Sequence, residues 1–130
     1  MEMITKMLKA ILIIQSEIVC VFSSVQSDII VFPELATSGY FFTDSLSLAP
    51  HAMEWNKHKD LLEIQNRAST EKRIIVLGFP ELTHEGIYNS AGIFMPKAQE
   101  SKVYRKTHLF YKEKYCFLHN IFHKKNSIII

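Results

Sequence analysis

Two short apolar runs and the amphipathic stretch between them set the frame of the chain. Ile29-Ile30-Val31-Phe32 and Ile74-Ile75-Val76-Leu77-Gly78-Phe79 are unbroken and rich in β-branched residues. Runs of this length without alternation predict strands buried on both faces. Each meets a proline, Pro33 or Pro80, that has no N–H for a ladder, so each strand is expected to stop there. Between them Leu61, Ile64 and Ala68, with Leu62 alongside, recur at helical spacing. They predict a helix over Ala52 to Thr70, started after Pro50, with Phe41 to Ser45 as loop. Glu54, Lys57, Lys59, Asp60, Glu63 and Arg67 form its solvated face, and Trp55 is expected to pack on the core. Strand, helix, strand makes a βαβ crossover, which is nearly always right-handed with parallel strands.

The flanks extend this frame. Ile4, Met7, Leu8, Ile11, Ile14, Ile18 and Phe22 share a helical period, which predicts an amphipathic helix over Met1 to Phe22 packed on a sheet. A signal peptide would use the same residues, but Gln15, Ser16 and Glu17 interrupt its apolar core. That interruption also leaves too few consecutive apolar residues for a membrane span. His84-Glu85-Gly86 is turn chemistry. Ile87 to Met95 and Lys102 to Lys106 then read as an antiparallel hairpin appended to the parallel unit, a mixed sheet of the α/β class with helices on one face. Asn89 and Ser90 are expected to face the neighbouring loop.

Composition narrows the function classes. At 130 residues the chain is a single domain at most. A mean hydropathy of +0.05 is that of a globular protein. The net charge of +2 is spread without a basic block, which leaves nucleic-acid binding without electrostatic support. The two cysteines, Cys20 and Cys116, lie in apolar surroundings and suggest no disulfide framework, so a cytoplasmic, reducing setting is the default.

Candidate chemistry gathers at strand ends. Glu34 follows the first apolar run, at the rim where open α/β sheets place ligands. A carboxylate desolvated there would be a better general base near neutral pH. The plainer alternative is a turn cap or a surface ion pair. Glu81, in the second copy of the Phe-Pro-Glu-Leu sequence, competes for the same role on the same rim. Lys106 ends the last strand, where an ammonium aimed at a reacting carbonyl oxygen would stabilise the charge of a tetrahedral intermediate and a pairing with Glu34 would keep it charged and in place; the plainer alternative is a surface lysine. Cys116, His119 and His123 have C-x2-H-x3-H spacing, but a closed zinc site needs a fourth ligand and none is near.

Phe32-Pro33-Glu34-Leu35 with Ser38-Gly39-Tyr40, then Tyr104-Arg105-Lys106-Thr107-His108-Leu109-Phe110, then Glu113, resembles the nitrilase (carbon–nitrogen hydrolase) superfamily over roughly Ser27 to Phe117. The resemblance implies a four-layer α-β-β-α sandwich, of which this chain would hold a part, with residues 1–117 as a partial hydrolase domain and 118–130 as a divergent tail. It implies hydrolysis of non-peptide C–N bonds in small amides or nitriles, without metal or organic cofactor. It makes Glu34 and Lys106 catalytic, adds Glu113 as a supporting catalytic glutamate, and sets Tyr40 at the substrate; Arg105 and His108 would support the loop. The family's nucleophilic cysteine lies at the end of a further strand, and Cys116 lacks that context. The expectation is therefore a chain without turnover of its own; the alternative is a non-catalytic module that binds a partner or itself, with no nucleic acid or membrane involved.

Overall fold

The computed structural model describes Cys20 and residues 24–97 and 99–120. The predicted helix over Met1 to Phe22 lies outside these residues except for Cys20. So does His123, and with it the C-x2-H-x3-H reading; among the described residues no three potential ligands cluster. Among them, too, no helix is long and apolar enough to cross a membrane.

Four strands form one sheet in sequence order: β1 (Ile29–Val31), β2 (Ile74–Leu82), β3 (Ile87–Phe94) and β4 (Lys102–Arg105). β1 pairs with β2 in parallel, Val31 opposite Val76, and the remaining pairs are antiparallel, as the mixed-sheet reading expected. Helix α1 (Ser45–Leu48) and a 3-10 turn (Ala49–His51) precede helix α2 (Lys59–Glu71). α2 lays Leu61, Ile64 and Ala68 on one face of the sheet. There they meet Ile30, Ile75, Leu77, Phe79 and Phe94 in the main core. Trp55 caps that core, stacked on Phe79 at 6.0 Å and tilted against Phe94 at 5.1 Å. A second cluster of Leu35, Leu48, Ile87, Cys116 and Phe117 closes the rim.

Three expectations are corrected. The helix begins at Lys59, not Ala52, and α1 occupies part of the expected loop. The cause is tertiary: Met53 is drawn into a bridge with β2, its N–H donating to Pro80 O at 2.9 Å while Leu82 N–H donates to Met53 O at 3.0 Å. The backbone then turns through Asn56 at a positive φ of 62°, and His58 caps α2 by accepting from the Asp60 N–H. Second, β2 runs through Pro80 to Leu82. Pro80 faces Asn89, whose carbonyl is turned the other way to accept from Lys106 N–H at 2.8 Å. Pro80 thus occupies a non-hydrogen-bonded pair, where its missing N–H costs no ladder bond. Third, β1 is buried on one face only: Ile30 is inside, but Ile29 and Val31 are 55% and 69% exposed. Among the described residues helix α2 covers just one side of the sheet, and β1 is an edge.

Candidate active site at the sheet rim

The site is built where β1 gives way to the turn Glu34 to Ser38. Pro33 ends the ladder, and the chain reverses with Leu35 at a positive φ of 49° and Gly39 N–H donating to Leu35 O at 2.8 Å. The buried Leu35 side chain anchors this strained residue in the rim cluster. The turn rests directly on Gly78 of β2. A Cβ at Gly78 would stand 2.5 Å from Pro33 O and 2.7 Å from Glu34 Cα, so only glycine lets the turn lie this close.

Glu34 and Lys106 come together. Lys106 Nζ donates to Glu34 Oε1 at 2.7 Å and to Glu113 Oε2 at 2.9 Å. Asn89 Nδ2 donates to the same two carboxylates, at 2.6 Å to Glu34 and 2.8 Å to Glu113. Glu113 sits in a 3-10 turn (Tyr111–Tyr115) and also accepts from the Phe110 N–H. Two cationic or polar donors are therefore shared by two carboxylates, all on the sheet face opposite α2. Beside them lies a cavity of about 200 Å³ reached by Glu34, Asn89, Tyr104 and Lys106.

Burial works against the charged amine of Lys106, but its hydrogen bonds to Glu34 and Glu113 prevail and raise its pKa above the usual lysine value. Burial likewise pushes Glu113 up, yet Lys106, the Phe110 N–H and Asn89 together bring it below the usual carboxylate range. The expected desolvation of Glu34 is corrected: its side chain is 40% exposed, because the turn carries it out over the open side of the sheet. Tyr40 is at the rim but gives its hydroxyl to the main-chain oxygen of Glu34 at 2.9 Å. Burial and the neighbouring Glu34 raise its pKa. Its ring lines a second cavity of about 230 Å³ with Phe42, Phe110, Glu113 and Cys116.

Glu81 shares the rim with Glu34 but faces the other way. It lies on the α2 side, buried, in a two-pronged pair with Arg105: Nε to Oε2 at 2.7 Å and Nη2 to Oε1 at 2.8 Å. Ser90 Oγ donates to Oε2 at 2.8 Å. Asn89 thus faces the turns that carry Glu34 and Glu113, as expected, whereas Ser90 faces Glu81 on β2, because neighbours on a strand alternate sides. His108 stays outside both, with Nδ1 3.0 Å from Thr107 Oγ1. Cys116 is buried, its thiol directed at Phe42 O at 3.6 Å, and burial raises its pKa, the reverse of an activated nucleophile. Two site residues were missed by sequence reasoning. Gly78 carried a signal, a glycine inside an apolar run; Asn89 carried none without the phase of the pairing.

The sequence profile of the carbon-nitrogen hydrolase family matches residues 2–128. A protein N-terminal amidase of Schizosaccharomyces pombe is 30% identical over 92 residues, which cover 66% of this chain and 32% of the amidase. A nitrilase of Pyrococcus abyssi is 32% identical over 91 residues, 70% of this chain and 34% of the nitrilase. An N-terminal amidase crystallised with a Gln-Gly peptide matches with a TM-score of 0.74 at 24% identity, over 85% of this chain and 28% of that one. A CN-hydrolase superfamily protein of Xanthomonas campestris, with an arsenic adduct in its active site, gives 0.68 at 19% identity, over 83% and 40%. The chain shares the fold of these structures and spans about a third of the length of the two sequence relatives.

Proposed function

This chain belongs to the carbon–nitrogen hydrolase family, and we propose that Glu34, Lys106 and Glu113 form the acid–base side of an active site that cleaves non-peptide C–N bonds in amides or nitriles. The observation that carries this is the Lys106 amine held at 2.7 Å from Glu34 and 2.9 Å from Glu113 on the open face of the sheet. In amide hydrolysis Glu34 accepts the proton of the attacking thiol and returns it to the leaving nitrogen as the C–N bond breaks. Lys106 stays charged and faces the carbonyl oxygen as negative charge develops there. Water then hydrolyses the thioester with Glu34 again taking the proton, which regenerates the thiol and releases the acid. Glu113 and Asn89 hold Lys106 and Glu34 in register. The N-terminal amidase relatives support a carboxamide carried at a peptide N-terminus as the narrower substrate class. Free Cys20 and Cys116 fit a reducing, cytoplasmic setting.

The thiol must come from outside the residues that make this site. We expect the purified chain to release no ammonia from primary amides, including peptides with N-terminal Asn or Gln, above the uncatalysed rate. Turnover lost in Cys116→Ala would move the nucleophile to Cys116. Turnover that survives replacement of both Cys20 and Cys116 would overturn the thiol mechanism.

A second reading, a module that pairs with its own kind, is favoured by the exposed Ile29 and Val31 on the uncovered sheet face. Size-exclusion chromatography is expected to show a dimer or larger species that shifts toward monomer in Ile29→Lys/Val31→Lys. A monomer in the unsubstituted chain removes this reading.

A further inference from the structure

Lys106 follows directly on β4, a strand of four residues that among the described residues pairs with β3 alone. Its main-chain N–H is held by Asn89 O at 2.8 Å, but this bond does not prevent the strand end from rolling about its axis. The Lys106 amine is held at its far end by Glu34 and Glu113, and Asn120 Nδ2 donates to Arg105 O at 3.1 Å; the remaining restraint on such a roll is on the other side. Arg105 is gripped in two-pronged fashion by Glu81, which is 2% exposed on the central strand β2. Ser90 donates to the same carboxylate, and Ser90 is the residue opposite Arg105 in the β3–β4 register. The guanidinium lies 4.5 Å from the centre of the Tyr88 ring, whose hydroxyl donates to Glu85 at 2.7 Å. Three strands thus meet on one planar group. A guanidinium fork defines an orientation, where an ammonium defines only a distance.

Consecutive residues of an extended strand project to opposite faces. Fixing the plane of Arg105 on the α2 side therefore fixes the direction of Lys106 on the open side. We infer that the Glu81–Arg105 pair is a positioning device for Lys106, acting through the strand from the face opposite the site. Its importance for catalysis rests on the proposed role of Lys106; its effect on the direction of Lys106 does not.

The test reads the site through Glu113, which Lys106, the Phe110 N–H and Asn89 keep acidic; Glu34, Tyr40 and Cys116 are titratable groups near it, and Tyr111 and Lys112 line the same cavity. Glu113 is followed by carbon-13 NMR of its carboxyl in the full chain. In Arg105→Lys, which keeps the charge and loses the fork, the Glu113 midpoint is expected to move up toward an ordinary glutamate. Glu81→Met/Arg105→Met, which removes both charges without leaving one buried alone, is expected to do the same. Loss of global stability by itself does not move a midpoint measured in the folded state. A folded variant of either kind with Glu113 titrating as in the parent chain overturns the inference. The ammonia assay above bears only on the hydrolase reading, so the two fail separately.

Discussion

Gly78→Ala is expected to lower the stability of the chain by about 3 kcal/mol, the upper part of the range for adding a methyl to a packed site. The atoms it would strike are main chain: Pro33 O, Glu34 Cα and Leu35 N, all within 2.7 Å of the new carbon. A flexible side chain would swing aside, whereas this turn is tied by Gly39 N–H to Leu35 O and by the buried Leu35 side chain. The turn must lift off β2, and Glu34 moves with it. A loss of this size lowers the melting temperature by roughly 10 °C or more in a domain of this length. The contact between Glu34 and Lys106 should weaken together with the fold. A melting temperature within a few degrees of the parent would show that the turn does not rest on Gly78 as described.

Lys106→Met is expected to cost about 2 kcal/mol at neutral pH, with a characteristic pH dependence. Hydrogen bonds to charged groups contribute roughly 1.5–3 kcal/mol when made. Here the figure is discounted, because Glu34 is 40% and Lys106 30% exposed, and water screens the pair. Removing the amine leaves two carboxylates sharing Asn89. In the parent chain Glu113 has a folded-state pKa below its ordinary value of 4.5, so its contribution is present above that pH and is lost as pH falls through the folded value. In Lys106→Met that depression loses its strongest cause while the Phe110 N–H and Asn89 remain, and a proton is taken up more readily between the two carboxylates. The gap between variant and parent should therefore narrow as pH falls below 4.5. Urea unfolding at pH 7 and at pH 4 checks this; parallel curves would mean that Lys106 does not hold Glu113.

Much of the fold was legible in the chain because it follows from period. The two β-branched runs became parallel neighbours, and Leu61, Ile64 and Ala68 became the inner stripe of α2. The start of α2 was not legible, since Met53 is captured by β2, a contact that no local pattern announces. Glu34 and Lys106 could be brought to one rim from their strand ends alone. Their separation from Glu81 and Arg105 was also within reach: Arg105 and Lys106 are adjacent, so they serve opposite faces and cannot share one glutamate. The solvent exposure of Glu34 was not, because it depends on how far the turn after Pro33 carries the carboxylate outward.

The adjacency of Arg105 and Lys106 has a consequence for how β4 is assembled. A slip of β4 by one residue against β3 would turn the guanidinium toward the Glu34 side and the amine toward the Glu81 side, so that each face of the sheet would still hold a cation beside its glutamates. Charge pairing by itself is therefore blind to this error. Discrimination falls to the uncharged residues: Val103 would leave the α2 core, and Tyr104 would have to enter a space filled by Trp55 and Phe94. A small valine next to a large tyrosine keeps Lys106 on the side of Glu34 and Glu113.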